Sequence, residues 1–181
     1  SALRAVLQQT SADETVVTAA AERLVTIARS RARADDTPRA LEAFETLVKL
    51  PLPAAERTEA WFGLAQVARK AGDSRRAEDA LLEASKQGPV ARRVEALLER
   101  AELLQSRAAR ADVITAFSSA LELAPRHPQA TAGLISALRA SEDWEGLAEI
   151  LAAEAAHLPK VQAVPVLVEL AGLYLDKLQE A

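Results

Sequence analysis

Two histidines, scattered serines and threonines, and many arginines and carboxylates are the side chains here with chemistry to offer; Cys and Met are absent. A zinc or iron site needs three or four His, Cys or carboxylate ligands converging on one point. His127 and His157 alone do not supply one. His127 precedes Pro128 and reads as a helix cap, while His157 falls near a helix end, where an imidazole caps carbonyls or faces solvent. No Ser or Thr stands in the strand–turn–helix setting of an activated nucleophile. The six glycines are isolated, so no loop cradles phosphate. The carboxylates fall in helix first turns or four residues from an arginine, where they support helices. The expectation is a chain without catalytic activity, cofactor or metal, whose charged side chains serve recognition.

Those side chains need elements to hold them. The 181 residues suffice for one domain or a short repeat array. Half are apolar but only 3% are aromatic, and six glycines are few for a sheet protein with tight turns. Ala and Leu predominate, which favours packed helices over sheets. The net charge of −4 and pI near 5.4 argue against nucleic-acid binding. No apolar run reaches the roughly 18 residues of a membrane span. The most apolar stretch, 161–175, contains Pro165 and Glu169. The chain opens on Ser1, without a basic region followed by an apolar block. It is expected to be an internal piece of a longer protein, and its Arg-over-Lys, Ala-rich usage points to a bacterial source.

Self-comparison gives the organisation. Over 58–91, Trp61, Leu64, Ala65 and Ala68 recur at spacings of three and four, the stripe of one helix face. Gly72 and Asp73 supply a stop and an N-cap. Ala77, Leu81 and Ala84 make a second stripe, and Gly88-Pro89 ends it. Two helices of about 14 residues joined by a tight turn form a unit of about 34.

This unit resembles a tetratricopeptide repeat (TPR): Trp61, Leu64, Ala65, Ala68, Gly72, Ala77, Leu81, Ala84 and Pro89 occupy the signature positions together. The same template finds Leu24, Ile27, Ala28, Ala40, Phe44 and Leu47 over 21–54, and Leu97, Ala101, Leu104, Val113, Phe117, Ala120 and Pro125 over 94–127. It finds Leu134, Leu138, Leu147, Leu151 and Pro159 over 128–161, and a first helix with Leu167, Leu170, Ala171 and Tyr174 over 164–181. Residues 1–20, with Leu3, Val6 and Leu7, read as the second helix of a preceding repeat plus a connector. Arg100, Ile135, Val113 and Glu154 depart from the consensus types. The resemblance implies an all-α, right-handed α–α superhelix, a TPR solenoid of about ten antiparallel helices that share one interior because a single hairpin cannot cover its own apolar flank. The predicted helices are 2–9, 13–34, 37–50, 54–71, 74–87, 90–107, 109–124, 128–140, 142–157 and 161–179.

In this family the first (A) helix of each repeat lines the concave groove. The resemblance therefore places Val25, Arg29 and Arg33, then Phe62, Gln66, Arg69 and Lys70, then Leu98 and Glu102, and finally Arg139 on a partner-binding groove. Arg29, Arg33, Arg69 and Lys70 make one end basic, with Phe62 and Val25 as apolar contacts. That surface suits an acidic protein or peptide segment with an apolar anchor. The chaperone-tail clamp of some members is absent, since Val25, Arg29 and Gly63 stand where it needs Lys and Asn. Trp61 and Trp144 read as packing residues. The expected function is a non-catalytic protein–protein interaction scaffold. The alternative is a regulatory or oligomerisation module acting through the array ends, where Leu3, Val6 and Leu7, or Leu167, Leu170, Tyr174 and Leu178, would allow end-to-end self-association. RNA reading by helical repeats is a further rival, disfavoured by the acidic balance.

Overall fold

Asp73 and His127, read as caps in the sequence, both open helices. The computed structural model describes residues 14–33, 36–107 and 109–178. Among these are nine helices and no strand: α1 Glu14–Arg33, α2 Thr37–Leu47, α3 Ala54–Lys70, α4 Ser74–Ala84, α5 Val90–Ser106, α6 Arg110–Leu123, α7 Pro128–Ser141, α8 Trp144–His157 and α9 Lys160–Asp176. The predicted helix 2–9, with Leu3, Val6 and Leu7, lies outside the described residues. The Asp73 carboxylate accepts from the Arg76 N–H at 3.0 Å to open α4, and Asp143 accepts from Gly146 at 3.0 Å to open α8. Before Pro128, the His127 imidazole accepts from the Ala130 N–H, which makes it the cap of α7. Such caps contribute about 1 kcal/mol each by satisfying donors that have no partner within the helix.

The chain forms two compact units, Ser1–Leu103 and Leu104–Ala181. In the first, α1 packs on α2, α3 on α4, and both α1 and α2 pack on α3. Ala65, Ala77 and Ala84 are fully buried, and their small side chains let α3 and α4 approach closely. Phe44, Leu47, Phe62, Leu64 and Leu81 fill the remaining interior. In the second, α6 packs on α7, α7 on α8, and α8 on α9, around Val113, Phe117, Leu134, Leu138, Leu147 and Leu151. Helix α5 begins in the first unit and ends in the second.

Departures from the repeat pattern are absorbed locally. Val113 is buried in place of a small residue, while Ile135 and Glu154 are half-buried. At Arg100 the Nε atom is buried without a hydrogen-bond partner among the described residues, a desolvation cost that an apolar residue would not carry. Three helix ends stop three residues short of expectation, among them α9 at Asp176. Helix α2 stops at Leu47, because Pro51 and Pro53 hold the chain extended and the buried Leu52 pulls it towards the core. Helix α4 stops at Ala84, ahead of Gly88, whose φ is +92°.

The turn inside a hairpin is the same in both units. After α3, Gly72 has φ +76° and the Asp73 N–H reaches back to the Ala68 carbonyl at 2.9 Å. After α7, Glu142 has φ +58° and the Asp143 N–H reaches Leu138 at 3.0 Å. A left-handed residue followed by a bond back to the last helical turn is the usual way to satisfy a helix's final carbonyls.

Candidate partner-binding face

In the first unit the A helices α1, α3 and α5 are tied side to side by ion pairs. Arg29 Nη2 lies 2.5 Å from Glu59 Oε2, which joins α1 to α3. Arg92 Nε lies 2.6 Å from Glu59 Oε1, and Arg69 Nη1 lies 3.3 Å from Glu99 Oε2; both join α3 to α5. Arg92 also pairs with Glu95 at 2.5 Å. Lys70 Nζ sits 3.4 Å from the Ala32 carbonyl oxygen. Exposed pairs of this kind contribute about 0–1 kcal/mol each, so their main effect is to fix where the charges sit.

Four predicted residues, Arg29, Gln66, Arg69 and Lys70, are exposed on this linked set of helices. Arg29, Gln66 and Lys70 line a single open hollow of about 430 Å³. The apolar residues are placed differently from the expectation. Val25, Phe62 and Leu98 are buried, with Phe62 only 2% exposed. The Arg92 guanidinium lies over the Phe62 ring, 3.9 Å from its centroid. Val25 and Phe62 belong to the core cluster, so their apolar surface serves packing rather than an open anchor site. Glu102 is exposed on α5. In the second unit, Arg139 of α7 pairs with Glu169 of α9. The Arg33 side chain lies outside the described residues.

Sequence reasoning missed Arg92 and Glu99. Arg92 falls in an insertion between repeats, outside the 34-residue template. Burial acts against its charge, but hydrogen bonds and Coulombic attraction from Glu59 and Glu95 outweigh that and raise its pKa. Glu99 occupies a position not counted among the groove positions. Burial raises its pKa, and the neighbouring Glu95 and Glu102 push the same way against Arg69 and Arg92. A carboxyl held above its unfolded pKa adds stability that is complete below the unfolded value, near 4.3, and lost as pH rises through the folded one. Wild type is therefore expected to lose stability relative to Glu99→Gln between about pH 4 and pH 7. Parallel urea titrations of both proteins across that range check it; a constant difference would contradict it.

Half-buried Trp61 and Trp144 serve packing roles. Trp61 packs against the core of the first unit, and Lys177 Nζ lies 5.3 Å from the Trp144 ring centroid. Among the described residues no group of three or more His, Asp or Glu is placed to hold a metal ion. No helix there is long and apolar enough to cross a membrane.

No protein-family model and no curated protein matches the chain. Solved structures do. The crystal structure of MamA protein is 17% identical, covering 88% of this chain and 75% of that one, with a TM-score of 0.53. YrrB, described as a TPR protein with an unusual peptide-binding site, is 13% identical over 92% of both chains, with a TM-score of 0.51. At such identities the likeness concerns architecture. Together with the hairpins, the buried small residues and the recurring turn, it shows that the chain has the all-α tetratricopeptide-repeat fold.

Proposed function

We propose that this chain is a non-catalytic protein–protein interaction scaffold that holds a partner segment along the A helices of its first unit. The observation that carries this reading is the linked row of exposed Arg29, Gln66, Arg69 and Lys70 beside an open hollow. A protein of the same fold described as having a peptide-binding site is consistent with it. The partner segment is acidic, since cations and an amide border the hollow. Its apolar contact is the floor of the hollow, because Val25 and Phe62 are covered.

The test is capture of partners from the source cells by the immobilised chain and by an Arg29→Glu, Arg69→Glu variant. The variant keeps its fold because both arginines are exposed and their ion pairs contribute little stability. Loss of the captured partner supports the reading; unchanged capture moves the working surface off these helices.

One observation favours a second reading, the packing of another helix on the end of the array. Helix α9 exposes Val161, Val164, Leu167, Val168, Tyr174 and Leu175, with Val168 67% exposed. Sedimentation velocity over a concentration series, with Val168→Glu as control, tests self-association through this face. A strict monomer at high concentration removes that form of it.

A further inference from the structure

The second unit has an open hollow of its own, of about 310 Å³, between the end of α5, the start of α6 and α7. Ala109, Val113, Ala137 and Ala140 give it apolar walls, and Val113 and Ala137 are buried at its base. Gln105, Arg110 and Ser136 also line it, and all three are exposed. The sequence accounts for the space. Ser136, Ala137 and Ala140 lie 70 residues beyond Gln66, Val67 and Lys70, which line the hollow of the first unit. Each of the three side chains on α7 is the shorter, so this helix leaves room for a side chain from elsewhere.

The polar groups around this hollow are uncommitted. Arg110, Gln105 and Ser136 can each donate, and none of their side chains makes a hydrogen bond or ion pair with the described residues. The hydroxyls of Thr26, Thr46, Thr115 and Ser141 all bond a carbonyl of the preceding turn; that of Ser136 does not. The A-helix arginines Arg29, Arg69 and Arg139 are each held by a glutamate. Arg110 has no such partner, and no carboxylate among the described residues lines the hollow. A positive border over an apolar base is complementary to a carboxylate set beside an apolar side chain. In an extended segment, residues two positions apart point the same way, about 7 Å from each other, so one face of the segment presents both groups.

Going beyond the reading of the first unit and independent of it, we propose that the hollow of the second unit docks an extended segment of a partner protein with an apolar and an acidic residue two positions apart. The apolar side chain, leucine or one of similar size, rests on Val113 and Ala137. The carboxylate accepts from Arg110 and from Gln105 or Ser136.

The probe is the peptide acetyl-Leu-Ala-Asp-Ala-Leu-amide, which carries leucine two positions to either side of its carboxylate, titrated into the full ¹⁵N-labelled chain. One anchor and one exposed ion pair give a Kd of about 1 mM. The expected result is saturable shifts at the amides of Ala109, Val113, Ser136 and Ala140. Replacing both leucines by alanine weakens binding about tenfold. Replacing the aspartate by asparagine weakens it about threefold, the smaller effect because Arg110 is exposed. Ala140→Phe fills the hollow from an exposed position and abolishes the shifts while leaving the remaining spectrum intact. Arg110→Gln keeps the leucine-dependent binding and removes the difference between the aspartate and asparagine peptides. The first-unit variant Arg29→Glu, Arg69→Glu leaves the titration unchanged, since neither residue lines this hollow. Equal binding of the leucine and alanine peptides, shifts that persist in Ala140→Phe, or an aspartate–asparagine difference that survives in Arg110→Gln overturns the proposal. So does a titration that shows no saturable shifts at these amides, or one abolished by the first-unit variant.

Discussion

Gly63→Ala is expected to destabilise the first unit by about 2 kcal/mol, although alanine is the better helix former by about 1 kcal/mol. The sign follows from space. The new methyl group would fall on the Phe44 ring, which is buried in the core and would have to shift to make room. Overpacking of this kind costs about 1–3 kcal/mol, and an overlap as close as 2.1 Å places it at the upper end. Phe44→Leu costs stability alone by leaving a cavity, but it opens the room that the added methyl group needs. The double mutant is expected to be more stable than the sum of the single changes by at least about 1 kcal/mol. Urea unfolding of the four proteins gives the cycle. Because repeat arrays unfold in parts, hydrogen exchange in α2 and α3 should report the loss while α8 is unaffected. Additive single effects would show that ring and glycine are not in the contact described.

The second large effect separates two glycines that look alike in sequence. Gly88→Ala is expected to cost about 2–4 kcal/mol and Gly72→Ala only about 1. Both have positive φ, +92° and +76°, and both pay a backbone cost when a Cβ is added. At Gly72 nothing lies within 4 Å of the added atom. At Gly88 it would overlap the hydroxyl of Thr58, which is fully buried and lies 2.8 Å from the carbonyl oxygens of both Ala54 and Gln87. Moving Thr58 aside takes its fully buried hydroxyl away from its acceptors. Thr58→Ala in the Gly88→Ala background should recover the overlap cost and none of the backbone cost. Glu142 already shows that the position of Gly72 accepts a side chain, since it adopts φ +58° at the matching turn after α7. Thermal unfolding ranks the variants; equal losses at Gly72 and Gly88 would refute the argument.

The hairpins were legible because their signals are local. Asp73, Gly72 and the stripe Ala77, Leu81, Ala84 lie within a dozen residues, and each acts through its own helix or cap. Helix ends were less legible where packing beyond the helix set them: α2 stops at Leu47 because Leu52 is buried between two prolines. The exposure of the residues on the candidate face was legible only in part. Repeat position places Arg29, Gln66, Arg69 and Lys70 on a common set of A helices, and the structure has them exposed there. It places Phe62 there as well, yet no rule of spacing reveals that Arg92 from an inserted segment covers the ring. Nor does spacing reveal the pairing of Arg69 with Glu99, thirty residues away, because that depends on which turns of neighbouring helices lie side by side.

The ion pairs between neighbouring A helices also constrain how such an array can grow or shrink. Excising the hairpin α3–α4 removes Glu59 and Arg69 together, which takes from Arg29 and Glu99 the partners they have here. A hairpin spliced in by protein engineers must therefore bring its own charges into register with both flanks.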